Sequence, residues 1–303
     1  MNAAAAMHIA RGLAAGVLLI VTAAAAGQGD SYTQAIEQWR SERAARLTQP
    51  DGWLSLVGLL WLEEGRNRFG AAPDNDLVLE LAGAPAHIGV FERSGPAVRF
   101  TPAPGVTVTT ADDRPFGGGP LASDAHGAPT VLKAGSLRFH VIERGDALGL
   151  RVKDPDSPAR RGFRGLRYFP IDREWRVAAR FVAYPEPKDV PVPTVLGTVE
   201  NTPSPGYVEF DRGGRTLRLD ALAENPAEGL FFAFGDRSNG RDTYGGGRFL
   251  YTNGPRDGVV EMDFNKAYNP PCVFSEFATC PLPPPGNRLP VAVRAGEMGY
   301  GEH

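Results

Sequence analysis

The stretch "EWRVAARFVAY", Glu174 to Tyr184, decides the fold. Trp175, Val177, Ala179, Phe181 and Ala183 fall on one side of an extended chain, and Arg176, Ala178, Arg180 and Val182 on the other. A strand with one buried face has that period of two. Short runs of similar character surround it: "LVLEL", "IGVFE", "AVRFT" and "GVTVT" before it, "YVEF", "TLRLDAL", "LFFAF", "RFLYT", "VVEMDF" and "LPVAVRA" after it. Gly, Pro and Asp separate these runs, as turns between strands require. "SLRFHVIER" and "ALGLRVK" alternate on either side of Gly145-Asp146, a dipeptide suited to a two-residue hairpin. With 37 glycines and 27 prolines in 303 residues, many short strands are favoured over long helices.

One segment reads as a helix. "DSYTQAIEQWRSERAARLTQP" spaces Tyr32, Ile36, Trp39, Arg43 and Leu47 about one turn apart, with Asp30 or Ser31 as cap and Pro50 as stop. The apolar "GWLSLVGLLWLEEG" that follows is too short to span a membrane and reads as a buried strand or turn. The expected fold is mainly β: two packed antiparallel β regions, a sandwich or partly closed barrel, with one N-terminal amphipathic helix. The expected boundaries are a helix over 30–49, a sandwich-like region over 50–125, and a larger β region over 130–303 ending in a proline-rich strap. "GGGPLASDAHGAP", Gly117 to Pro129, marks the seam, and the prolines of Tyr184 to Pro193 form a stiff spacer or edge strand.

Residues 1–26 read as a secretory signal peptide: Arg11, an apolar run from Leu13 to Ala26, and small residues at Ala24 and Ala26. A periplasmic or secreted location follows, without stable membrane insertion after cleavage. The net charge is −3, and removal of Arg11 makes it more acidic, which argues against nucleic acid as a partner. In an oxidising compartment Cys272 and Cys280 are a disulfide candidate; two buried thiols are the alternative.

Several stretches together resemble one bacterial family, the domain of unknown function 1684. They include "DGWLSLVGLLWLEEGRNRFG", "LRVKDPDSPARRGFRGLRYFP", "TYGGGRFLY" and "DFNKAYNPPCVFSEFATCPLPPPGNRLPVAVRAGE". The resemblance implies one unit from about Gln34 to the C-terminus and brings no activity with it. Residues 66–110 also faintly resemble a forkhead-associated sandwich, on "RFGAAPDNDLVL" and "APAHIGVF". Ala71 stands where that fold's arginine is expected and Ala84-Pro85-Ala86 replaces its serine, so this likeness bears on fold and not on phosphate recognition.

Familiar catalytic signatures are absent: no G-x-S-x-G elbow, no H-E-x-x-H, no Walker loop and no C-x-x-C. Ser123, Asp124 and His126 sit too close in a glycine turn to build a triad, and no cofactor is indicated. In "RVKDPDSPARRGFRGLRYFP" Arg151 and Arg160 can clamp a carboxylate or phosphate, or pair locally with Asp154 and Asp156. The three glycines of "DTYGGGRFLYTN" open a turn beside Tyr244 and Arg248. "DFNKAYNPPC" places Asp263 and Asn265 on one face at a strand's end and stiffens the exit with two prolines. Asp263, Asn265, Tyr268 and Asn269 then either fix a polar ligand or cap neighbouring backbone. The leading expectation is a binding protein for a small polar or anionic ligand. Its pocket takes Arg151 and Arg160 on one wall and Tyr244, Arg248, Asp263, Asn265, Tyr268 and Asn269 on the other. The alternatives are a hydrolase with Asp263 as general base or metal ligand, and a structural envelope protein.

Overall fold

The computed structural model describes residues 18–301, with side chains over 31–301 apart from His126. The signal-peptide expectation falls mainly outside the described residues. Helix α1 (Leu18–Leu47) is one continuous element, so Asp30 and Ser31 lie inside it and not at its cap. The alanine-rich run ahead of them is strongly helix-forming, which explains the earlier start. Its docked face is the expected one: Ile36 and Leu47 have no exposure to water, and Arg43 is buried beside them.

Two sheets form the first β region. One has the order β1 (Leu56–Trp61), β10 (Ala147–Lys153), β9 (Leu137–Arg144), β8 (Leu132–Ala134), β6 (Thr109–Thr110). The other runs β3 (Leu77–Val78), β2 (Gly65–Gly70), β4 (Gly89–Ser94), β5 (Ala97–Pro102), β7 (Gly119–Leu121). All their pairings are antiparallel save the short parallel pair β2–β3. Phe69, Phe91, Phe100 and Phe139 meet between the sheets, with ring centroids from 4.6 to 6.2 Å apart. Gly145 turns the β9–β10 hairpin at φ +57°, a conformation open to glycine at the first position of a tight turn. The sequence boundary at 125–130 is not where this region stops. Its apolar core runs from Leu62 to Val152, because β1 pairs with β10 across the whole region. Gly117 to Pro129 carries strand β7 and the turn after it, inside the sandwich.

The second region is built on β11 (Arg176–Pro193) in a sheet ordered β13 (Arg215–Ala221), β12 (Val199–Arg212), β11, β16 (Val259–Asp263). Along β11, Val177 and Ala179 turn inward while Arg176, Ala178 and Arg180 are exposed, as the alternation requires. The proline-rich half of β11 pairs with β12 only, since β16 covers just Arg176–Arg180. Prolines that cannot donate therefore face an unpaired edge. A separate pair, β14 (Leu230–Phe234) and β15 (Arg248–Thr252), packs against this core. Phe264 is its hub, with Trp175, Phe210 and Phe234 rings at 5.6, 5.6 and 5.5 Å. The chain is mainly β, and no sheet closes into a barrel.

Candidate functional site

A groove of about 760 Å³ opens where α1, strands β9 and β10 of the first region and the β14–β15 pair converge. Two kinds of side chain dominate it. Trp39, Trp53, Phe231, Phe249, Tyr251 and Tyr268 give an aromatic wall; Arg43, Arg46, Arg144, Arg151, Lys153 and Lys266 give six cations against the single acid Asp51. The register of β14 on β15 sets Phe231 opposite Tyr251, with ring centroids 4.8 Å apart. Tyr251 and Tyr268 lie near-parallel at 14° and 6.4 Å, and Trp39 reaches Tyr268 from the helix at 6.5 Å.

Most of the cations are already engaged. Arg43 donates to Glu297 Oε1 at 2.9 Å and to the Asn269 carbonyl at 2.9 Å. Arg144 meets Asp124 at 3.1 Å, and Lys153 donates to the Asp51 carbonyl at 2.5 Å. Arg151 is different. It sits mid-strand between β1 and β9, 7 % exposed, and has no carboxylate at ion-pair distance among the described residues. Its Nη2 reaches Thr279 Oγ1 at 3.3 Å, its Nε is buried without an acceptor, and its guanidinium lies 5.3 Å over the Trp53 ring. Desolvation first, and then the Arg144 charge, hold its pKa down at about 10. His140, its partner on β9, is pushed down to about 4 by burial and by Arg151 and Lys153. The site is thus a donor-rich cavity in which one buried guanidinium has no carboxylate at ion-pair distance.

Of the residues expected to form one pocket, only Arg151 and Tyr268 line this groove. Arg160 ties backbone together, donating to the Thr48 and Pro155 carbonyls at 2.7 Å each. Arg248 is fully buried, paired with Asp236 at 2.9 Å. Asp263 Oδ1 accepts from Tyr32 Oη at 3.0 Å and from the Asn265 backbone and side chain at 3.2 and 3.1 Å. Asn265 closes a second clasp with the Asp172 backbone at 2.9 and 2.8 Å. Asn269 N donates to Glu297 Oε2 at 2.8 Å and its amide to the Met298 carbonyl at 2.8 Å. Tyr244 accepts from the Cys272 thiol at 3.8 Å, away from the groove. "DFNKAYNPPC" is therefore mostly a clasp whose Lys266 and Tyr268 form groove wall. The proposed disulfide is absent: both thiols are free, and Cys272 N–H donates to Cys280 Sγ at 3.1 Å.

A smaller polar groove of about 450 Å³ lies further toward the N-terminal end of the same helix face, around Tyr32, Arg173, Arg176, Glu261, Asp263 and Lys266. Arg176 there is paired with Glu261 at 2.6 Å. Among the described residues no group of three His, Cys, Asp or Glu side chains could hold a metal ion. No described helix is long and apolar enough to cross a membrane. The sequence reading missed Trp39, Trp53, Arg144, Phe231, Tyr251 and Thr279. Lys153 was within reach, since residues two apart on a strand share a face with Arg151.

No curated protein matches the chain. A solved structure does: the solution NMR structure of the uncharacterized protein from gene locus rrnAC0354 of Haloarcula marismortui, 33 % identical, covering 50 % of this chain and 85 % of that one, with a TM-score of 0.41. The forkhead-associated likeness of residues 66–110 is not shown by these matches. Residues 161–298 match the model of the family described as protein of unknown function, DUF1684, and the chain belongs to that family.

Proposed function

We propose that this is an exported binding protein for a small organic anion, held in the groove between α1, β10 and the β14–β15 pair. One observation carries the reading: Arg151 is buried, lines the groove, and has neither a carboxylate partner nor an acceptor for its Nε. A cation held away from water without a counter-charge is unfavourable to folding unless something else supplies that charge. An anion entering the groove would supply it, and the guanidinium fork suits carboxylate, sulfate or phosphate oxygens. Thr279, bonded by both Arg144 Nε and Arg151 Nη2, holds the two guanidinia side by side at that end. A volume of about 760 Å³ suits a ligand of ordinary metabolite size. Export rests on the N-terminal sequence, Arg11 followed by the run from Leu13 to Ala26.

Titration of organic acids against their uncharged amides, followed by the fluorescence of Trp39 and Trp53, tests the reading. Octanoate and octanamide make one pair, 2-naphthoate and 2-naphthamide another. At least one acid is expected to bind about tenfold or more tightly than its amide, and Arg151→Met should erase the difference. Acids and amides binding alike, or Arg151→Met binding the acid as well as the parent does, would overturn it.

A further inference from the structure

Resting on the anion-binding reading, we propose that the groove selects planar aromatic acids, the acidic group set at Arg151 and the ring laid against Tyr251 and Phe231. The composition of the wall is the argument. The groove is lined by six aromatic side chains, yet no Leu, Ile, Val or Met is among its lining residues. A flexible aliphatic tail is held as well by branched and unbranched alkyl groups. Beside Pro271, Cys280 and Pro281, the apolar wall is made of these aromatic rings, whose flat, rigid facets favour a flat, rigid guest. Tyr251 is the open facet. It is 63 % exposed although its ring belongs to a packed aromatic series, with Phe231 at 4.8 Å on one side and Tyr268 near-parallel at 6.4 Å. Its open ring at the mouth of the cationic cavity is placed to meet a guest.

The polar lining narrows the class further. A sugar acid would also stack on such rings, but its hydroxyls need acceptors, and the lining offers one carboxylate, Asp51, and one side-chain amide, Gln49, among its donors. Glu297 and Asp124 neutralise Arg43 and Arg144, so at the Arg151 end of the groove one acidic group meets one buried guanidinium that has no carboxylate of its own. An aromatic monoacid satisfies both limits.

The test compares 2-naphthoate with its saturated counterpart, decahydronaphthalene-2-carboxylate, in the full chain by calorimetric titration. The two share charge and carbon skeleton, and the saturated acid is the more hydrophobic. The aromatic acid is expected to bind about fivefold more tightly, and Tyr251→Leu should remove that preference while leaving binding of the saturated acid within about twofold. Because Tyr251 is exposed, this variant keeps the core intact, and unchanged thermal unfolding confirms it. Equal affinities, or a preference for the saturated acid, would overturn aromatic selection and leave the anion-binding reading standing. If neither of these acids nor octanoate binds, both readings fall together.

Discussion

Substituting Arg248 with methionine isolates what the buried charge network contributes to the second β region. The guanidinium has no exposure to water and makes four bonds. Nη2 donates to Asp236 Oδ2 at 2.9 Å and to the Val293 carbonyl at 2.7 Å; Nη1 donates to the Ala295 and Glu297 carbonyls at 2.5 and 3.2 Å. It therefore staples the C-terminal strap to the start of β15. Methionine fills much of the volume but donates nothing. Leaving one partner of a buried ion pair alone costs about 3–5 kcal/mol, and each stranded carbonyl adds about 1 kcal/mol before relaxation. Roughly 5 kcal/mol or more is then expected, comparable with the whole stability of an ordinary domain. Urea unfolding followed by tryptophan fluorescence should show the midpoint collapse, because Trp175 packs on Phe264 in the same core. Adding Asp236→Asn removes the stranded charge while its Oδ1 still accepts from Ser238 N and Val293 N, so the double variant should regain about 1–2 kcal/mol. A single variant as stable as the parent, or a double variant weaker than the single, would refute the assignment of Arg248 to structure.

Acid should destabilise the protein through His140. Its folded pKa lies near 4 against an ordinary 6.5, so the unfolded chain takes up a proton first. Stability is untouched above 6.5, falls between 6.5 and 4, and by pH 4 has dropped by roughly 3 kcal/mol. His140→Gln should flatten that part of the pH profile of thermal unfolding, and an unchanged slope would count against it. The cysteines should differ in reactivity. Cys272 is half-buried, with its pKa lowered by the hydrogen bond from Cys280, whereas Cys280 is buried and raised. Brief iodoacetamide treatment and peptide mapping should find label on Cys272 first; equal labelling, or none because the two are bridged, contradicts the structure.

The strands were legible because a half-buried sheet imprints its period directly on the chain. Trp175 and Ala179 bury as the alternation says, although Ala183, where the strand pairing becomes irregular, is exposed, and Gly145 turns its hairpin for a reason local to the backbone. The seam was misread because glycine and proline mark a loop without saying what pairs beyond it. Only the contact of β1 with β10, nearly a hundred residues on, shows that the first sandwich is not finished at residue 125. The polar stretch after β16 failed for a related reason. Asp263, Asn265 and Asn269 offer the same atoms to a ligand or to backbone, and their partners Tyr32, Asp172, Glu297 and Met298 lie far off in sequence.

The groove itself was illegible, since its walls come from residues 39 to 281 and no short window contains them. Yet one of its residues stood out, and the structure explains why that mattered. The buried arginines of the described chain are Arg43, Arg151 and Arg248. Arg43 has Glu297 and Arg248 has Asp236, each acid itself without exposure to water. The fold thus neutralises a deep guanidinium at two places, using acids supplied by distant segments. Near Arg151 an acid is also at hand, but Asp124 turns to Arg144. Chain length or scarcity of carboxylates therefore does not account for the gap. A cation left unpaired only where it meets an open aromatic cavity is a feature that packing alone would remove, and binding of an anion gives it a reason to persist.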